Sequence, residues 1–459
     1  MSTEMRLTRR ALLKNACVLG AGVALAACAP KVVQQTVVVE KVVEKNVTSA
    51  PAAPGEIVIQ ILCRAEYGGD PVRLYCQKFE TKYPGLRAKT VDVAYAEHLK
   101  KIQAMFAAGN CPDVIYTMVK YGPYLMQQGV HLPLNDLVEA GRKEFEIDDF
   151  YPSPLKALTF EGKQYALPEW SSPTSRPLVV YNVDMFKAAG IPTPPLEEWN
   201  VNDWKDAAIK LTKPDKGIFG MLPPGLTNYY DWDAFVDGFG GHILNNEVGL
   251  AKKIDFVDNA KNKEAWAWYY DAAIKNHATP RRGESPEKVN MFTSGLAATT
   301  IDGLYHLPGL PKEVGDKFKY GITLMKGPVR KGAGMFIQGF GLSTQTKHPQ
   351  EAFKLAYYQT STEVGVWSAT TGVGMGLQGR RSQWTNKDVL ALHPIYGVIA
   401  KWWEDDIAPF PQPWNLRYQE LFDVYAAQTD KLFYGEVTWD AQAPVVQSKC
   451  QEIMDQPRP

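Results

Sequence analysis

Four carboxylates stand close to aromatic rings in this chain: Glu66 beside Tyr67, Glu169 beside Trp170, Asp233 beside Trp232, and Asp302 three residues before Tyr305. Two chemistries use such groups. A pair of carboxylates about 5–10 Å apart across a glycosidic bond can hydrolyse it. The same groups can also hold a sugar unchanged. Rings then lie against its C–H faces, and acids, amides and amines pair with its hydroxyls, because a buried unpaired hydroxyl costs about 1–3 kcal/mol. No local signature singles out a catalytic pair, so binding without reaction is the preferred reading and no catalytic residue is assigned. The 12 Trp and 22 Tyr supply ring faces. The run from Asn228 to Asp233 places Tyr229, Tyr230 and Trp232 together in a segment too polar for a core helix. Tyr230 and Trp232 are therefore expected to stack on solute.

Other chemistries lose their support. The seven histidines form no His-x3-His or Glu-x-x-His cluster, and Cys63, Cys76, Cys111 and Cys450 do not fall at zinc-ligand spacing, so no metal site is expected. Four cysteines allow three disulfide pairings, and buried free thiols are equally compatible with domains of this size. No Gly-x-Gly-x-x-Gly follows the first strand and no phosphate-cradling Gly-x-x-x-x-Gly-Lys-Ser/Thr is present, so no cofactor is expected. The chain has 459 residues with 50 basic and 50 acidic side chains. Removing residues 1–27, with four basic and one acidic group, leaves a net charge of −3. That balance excludes a nucleic-acid partner, which would need a basic surface.

These side chains need elements to position them. Glu56 to Cys63 is a β-branched run that predicts a buried strand. Asp70-Pro71 opens a helix that carries Val72, Tyr75 and Phe79 on one face and stops at Tyr83-Pro84-Gly85. Ala88 to Val93 predicts a second strand. A helix with Leu99, Ile102 and Phe106 on one face and Gly109 beyond its end follows, then a third strand at Pro112 to Tyr116. This βαβαβ rhythm predicts an α/β fold with a parallel sheet. Open parallel sheets bind ligands outside the carboxyl ends of their strands, which marks the loops Arg64 to Tyr67 and Thr117 to Tyr121 as a binding edge.

The N-terminus is an export signal: a basic stretch from Arg6 to Lys14, then apolar Ala16 to Ala27, too short to span a membrane comfortably. Thr8-Arg9-Arg10-Ala11-Leu12-Leu13-Lys14 resembles the twin-arginine signal. Leu25-Ala26-Ala27-Cys28 resembles a bacterial lipobox, with Cys28 the lipidated residue and several acyl chains a stable anchor. Residues 28–55, valine-rich and then Pro/Ala-rich, read as a tether.

Further segments carry a family resemblance. They are Phe79-Glu-x-x-Tyr83-Pro84-Gly85, Ala107-Ala108-Gly109-x-x-Pro112-Asp113-Val114, the run from Gly129 to Leu134, and the run from Gly162 to Pro168. The series continues with Tyr181-Asn182-x-Asp184-x-Phe186 before Ala189-Gly190-Ile191-Pro192, Phe292 to Ala298 with Asp302-Gly303, and His348 to Phe353. In order and spacing the chain resembles the solute-binding proteins of bacterial carbohydrate ABC transporters, the maltodextrin-binding-like branch. It departs at Leu196-Glu-Glu-Trp199-Asn200, where that family usually has Thr-Trp.

The resemblance implies a two-lobed, type II periplasmic-binding-protein fold with solute between lobes joined by a multi-strand hinge. It implies crossings near Thr174–Arg176, Gln338–Gly341 and residues 390–400, giving lobes of 56–173 with 338–395, and 174–337 with 396–459. It further implies solute contacts from Glu66, Tyr67, Lys120, Tyr121, Glu169, Trp170, Asp302, Tyr305, Trp414 and Arg417. The glycine-rich stretch Gly372 to Arg381 reads as a surface turn. The expected protein is a monomer on the outer face of the cytoplasmic membrane that hands a sugar to permease subunits and catalyses nothing. The competing readings are a secreted glycoside hydrolase and a binder of a non-sugar solute such as a glycerol phosphodiester or a peptide.

Overall fold

The computed structural model describes residues 55–65, 69–172, 178–222, 229–245, 251–286, 290–331, 334–374, 376–404, 410–411 and 415–459. The export signal, Cys28 and nearly all of the tether lie outside them.

The first strand, β1 (Ile57–Arg64), buries Ile59, Ile61, Leu62 and Cys63, because it runs inside a sheet covered on both faces. It pairs in parallel with β2 (Leu86–Val93) and β3 (Val114–Met118). The crossovers are helices α1 (Gly69–Lys82) and α2 (His98–Ala107). Tyr75 and Phe79 of α1 enter the same core as Ile61, Phe353 and Tyr358. Gly85 and Gly109 take left-handed backbone (φ +88° and +71°) where the helices have ended.

A small hairpin, β4 (Thr159–Phe160) and β5 (Lys163–Gln164), leads into β6 (Ala166–Ser172). A second sheet has the order β8 (Trp199–Asn200), β10 (Tyr320–Lys326), β7 (Leu178–Asn182) and β9 (Thr299–Asp302). Asn182 explains the Tyr181-Asn182-x-Asp184-x-Phe186 segment. Its Oδ1 accepts the Asp184 and Met185 N–H groups at 3.0 Å each, capping the next helix, while Phe186 is fully buried. Against this sheet packs α3 (Val201–Leu211), whose Trp204 donates through Nε1 to Thr299 Oγ1 at 2.8 Å and so fixes β9.

The chain returns to the first sheet as β11 (Gly334–Leu342), which is antiparallel to β3 along one edge and to β6 along the other, with the short β12 (Phe410–Pro411) beside its start. Its glycines are steric necessities. A Cβ on Gly339 would stand 2.5 Å from the Leu167 carbonyl oxygen, and one on Gly341 would stand 2.7 Å from His131 Nδ1. The return between sheets falls between Lys326 and Gly334, upstream of the expected Gln338–Gly341, because β11 pairs with first-sheet strands along its length. The expected crossing at Thr174–Arg176 lies outside the described residues.

The body's cysteines are free thiols, and Cys63, Cys76 and Cys450 are buried. The Cys63 thiol donates to Asp92 Oδ1 at 3.0 Å.

One expectation is overturned. The stretch ending at Arg381 is not a surface turn throughout, because Arg380 is 0% exposed. Its guanidinium donates to the carbonyls of Thr360 (2.6 Å), Glu146 (2.9 Å) and Phe145 (3.3 Å) and lies 3.8 Å from the centre of the Phe150 ring. Asp149 stands 3.7 Å away as its counter-charge. The three carbonyls belong to two segments that meet only in the fold, so Arg380 ties them together. Replacing Arg380 with Met removes all three hydrogen bonds and strands the buried Thr360 and Phe145 carbonyls without this donor. Urea denaturation should then show a loss of about 3 kcal/mol of unfolding free energy. A loss below about 0.5 kcal/mol would contradict this role.

Candidate functional site

Strand register brings three chain segments to one sheet edge. Leu62 of β1 is paired with Ile115 of β3, so Arg64 ends level with Thr117. Gln338 of β11 is paired with Met118 on one side and Trp170 on the other. The last residue of β1, the turn after β3 and Glu169 of β6 therefore share one end of the sheet, the end predicted for ligand.

A ring organises this edge. Tyr95, just after β2, has the Arg64 guanidinium 4.2 Å and Lys120 Nζ 4.0 Å from its ring centre. Lys120 also donates to the Tyr95 hydroxyl. Cation–π attraction holds both charges on one aromatic group. Arg64 is 8% exposed and also feels the Tyr116 phenol and Glu169. Tyr121 is buried behind Lys120, its hydroxyl 2.9 Å from His98 Nδ1. Burial, reinforced by repulsion from Arg64, lowers the Lys120 ammonium to a pKa of about 8. Burial raises Glu169 to about 7 against the attraction of Arg64, and its buried Oε2 has no hydrogen-bond partner among the described residues. The edge thus offers two cationic donors, a carboxyl that can accept or donate, and phenol walls.

A second cluster ends β9. Asp302 accepts the Gly303 N–H through Oδ1 at 2.7 Å and pairs through Oδ2 with His306 Nδ1. His306 Nε2 pairs with Glu313 Oε1 at 2.8 Å. Tyr305 is half-buried, its ring stacked on His306 with centres 6.3 Å apart.

The remaining expectations divide. Lys120 and Glu169 lie at the common edge as described. Trp170 is on β6 and Tyr230 is in helix α4 (Tyr229–Asp237), which lies beside β11, but their side chains are outside the described residues. Glu66, Tyr67 and Trp414 are outside them altogether. Trp232 is corrected. It is 0% exposed, stacked on Phe235 at 5.2 Å and edge-on to Phe433, so no ring face remains for solute. Its segment is helical, not an open loop. Asp233 is also buried, accepting the Ile243 N–H at 2.6 Å, which removes it as a hydrolytic carboxylate. Arg417 is corrected as well. Its guanidinium pairs with Glu420 at 2.8 Å and donates to the Pro457 carbonyl at 2.9 and 3.2 Å, so it anchors the chain's last residues. Tyr95 and His306 were not singled out in the sequence, and Arg64 was marked only as part of the loop Arg64 to Tyr67. The position of Arg64 at a strand's carboxyl end was the available signal. Among the described residues no group of side chains could hold a metal ion, and no helix is long and apolar enough to cross a membrane.

His306 gives a pH prediction. The Asp302 hydrogen bond, aided by Glu313, raises its pKa from about 6.5 to about 9. A folded pKa above the unfolded one stabilises fully below pH 6.5, and this contribution is lost as pH rises through about 9. Urea midpoints at pH 6 and pH 9.5 should therefore fall less in His306→Gln than in the unaltered protein. An equal fall in both would refute the clamp.

A family model for bacterial extracellular solute-binding proteins matches residues 66–366. The sn-glycerol-3-phosphate-binding periplasmic protein UgpB of Escherichia coli K12 is 23% identical over 273 residues, 56% of this chain and 58% of that protein. The chain spans less than two thirds of the curated relatives it matches. An ABC substrate-binding protein of Listeria monocytogenes, solved in complex with cycloalternan, superposes with a TM-score of 0.75 at 19% identity, covering 88% of this chain and 100% of that one. The sugar-binding protein MalE of Xanthomonas citri gives 0.71 at 16%, covering 87% and 97%. The fold is the two-lobed, type II periplasmic-binding fold, as the resemblance implied. With the family model covering most of its length, the chain belongs to the bacterial extracellular solute-binding proteins.

Proposed function

We propose that this protein captures a sugar or oligosaccharide outside the cytoplasmic membrane and delivers it, unaltered, to the permease subunits of an ABC transporter. The observation that carries this reading is the convergence of Arg64, Lys120, Glu169 and tyrosine rings at the carboxyl edge of the first sheet, in a chain of this family. Structural neighbours include a protein described as sugar-binding. The first lobe runs over 56–173 and resumes with β11 as far as residue 395, and the second takes the chain from 174 to the return before β11 together with 396–459. The second supplies Tyr305 and Asp302 at the end of β9, and the Tyr229–Asp237 helix carries Tyr230. Export through the Arg9-Arg10 signal and acylation of Cys28 hold the monomeric body at the membrane, where closure presents a surface to the permease.

Solute favours the closed form only by binding it better than the open one. Hydrolysis is not part of the cycle. With Asp233 in the core, Glu169 and Asp302 are the carboxyls of that set that remain among the described residues, and Asp302 is committed to Gly303 and His306.

A thermal and chemical denaturation screen over mono- and oligosaccharides tests this. A true ligand at 100 times its dissociation constant should add about 2.7 kcal/mol of stability. Chromatography of the incubated ligand should recover it intact. Absence of stabilisation by every saccharide would overturn the reading, and so would turnover of the saccharide that binds.

A further inference from the structure

We infer that Gln338 is a solute-binding residue: its carboxamide, beside the bulged residue Glu169, takes a hydroxyl group of the bound sugar. This rests on the carbohydrate-binding reading above and adds to it a specificity-determining residue on β11.

Strand register puts Gln338 at the carboxyl edge. It is level with Met118, the last residue of β3, and with Trp170 of β6. Paired residues share a face, and side chains alternate along a strand. Gln338 therefore shares a face with Phe340 and with Tyr116, whose rings are 5.5 Å apart. On its other side the pairing slips. Gln338 is opposite Trp170 and Gly339 is opposite Pro168, which leaves Glu169 as an extra residue. A bulge of this kind re-aims the side chain it adds. Both the Tyr116 phenol and Arg64 feel the Glu169 carboxyl, so it has turned toward them.

Three polar groups stand here without a hydrogen bond to any described residue: Gln338 Oε1, the Tyr116 hydroxyl and Glu169 Oε2. Gln338 is only 2% exposed. The other buried glutamines bond within the chain. Gln383 Nε2 donates to Gln378 Oε1 at 2.9 Å, Gln378 Nε2 to the Gln359 carbonyl at 2.9 Å, and Gln359 Nε2 to Cys76 Sγ at 3.8 Å. The indole N–H groups of Trp232 and Trp268 also lack partners, but they lie inside an apolar core. Gln338 adjoins the edge assigned above to solute.

An unpaired buried carboxamide costs stability that an apolar side chain of similar shape would not. A sugar hydroxyl suits this place because it both donates and accepts. It can donate to Gln338 Oε1 and accept from Glu169 Oε2, since burial favours the neutral acid. A side chain so little exposed meets only a group of about that size.

Gln338→Met keeps the length of the side chain and removes the carboxamide. Calorimetry on the whole protein with glucose, maltose, maltotriose and mannotriose tests the assignment, together with urea denaturation in the absence of sugar. The best-bound of the four should bind the variant about tenfold more weakly. The sugar-free urea midpoint should hold or rise. Among singly deoxygenated analogues of that sugar, one should bind the unaltered protein about tenfold more weakly and lose nothing further in Gln338→Met. Unchanged affinity of the variant would overturn the inference and leave sugar binding intact. A lowered sugar-free midpoint, or a variant that fails to fold, would overturn it too, because the carboxamide would then be holding structure. So would a variant that weakens every deoxygenated analogue as much as the parent sugar. Silence from all four sugars with the unaltered protein would overturn the carbohydrate reading and this residue's role together.

Discussion

The double pairing of β11 is the constraint on which the site depends. Strands β3 and β6 reach the same sheet end only because one strand lies between them, in a register where Gln338 faces both Met118 and Trp170. That strand fits because Gly339 and Gly341 present no Cβ to the Leu167 carbonyl and the His131 ring. A shift of one residue would turn every side chain to the opposite face and part Lys120 from Glu169. The parallel pairing of β1 with β3 then delivers Arg64 to the same level. The candidate site is in this sense a consequence of backbone hydrogen bonding, with side-chain chemistry laid over it.

Electrostatics at this edge differ in kind from those of the core. Arg380 is more deeply buried than Arg64, yet it is satisfied by three carbonyls and a nearby carboxylate. Asp233, also buried, accepts a backbone N–H. These groups hold structure together, and their demands are met within the chain. At the carboxyl edge Lys120 rests on a phenol, and one Glu169 oxygen has no partner among the described residues. Folding leaves these groups at the edge that the proposed function assigns to solute.

The order of strands and helices from Ile57 to Met118 was readable from periodicity, because each helix there has a regular apolar face and a glycine or proline stop. The carboxyl edge of the sheet was readable for the same reason, since it follows from strand direction alone. Trp232 misled because the polar run Asn228 to Asp233 disguises a helix whose buried face, Trp232, Phe235 and Val236, begins within it. The polar appearance of Asp233 depends on the Ile243 N–H ten residues on. Arg380 could not be placed from its neighbours, because its acceptors lie 20 and about 235 residues away. Arg64 was within a loop marked for binding. Its importance emerges only through Tyr95 and Glu169, which the fold brings from 31 and 105 residues along the chain.

The most direct test of the central claim is backbone hydrogen exchange with and without a saturating saccharide that gives binding heat. Protection should rise at residues 93–98, 117–122 and 166–172, where three strands end around the Tyr95 ring, and at residues 300–306 of the second cluster. Exchange in the C-terminal helix Trp439–Met454 should stay unchanged. Protection confined to other surfaces, with the Tyr95 neighbourhood exchanging as fast as in the free protein, would contradict the account.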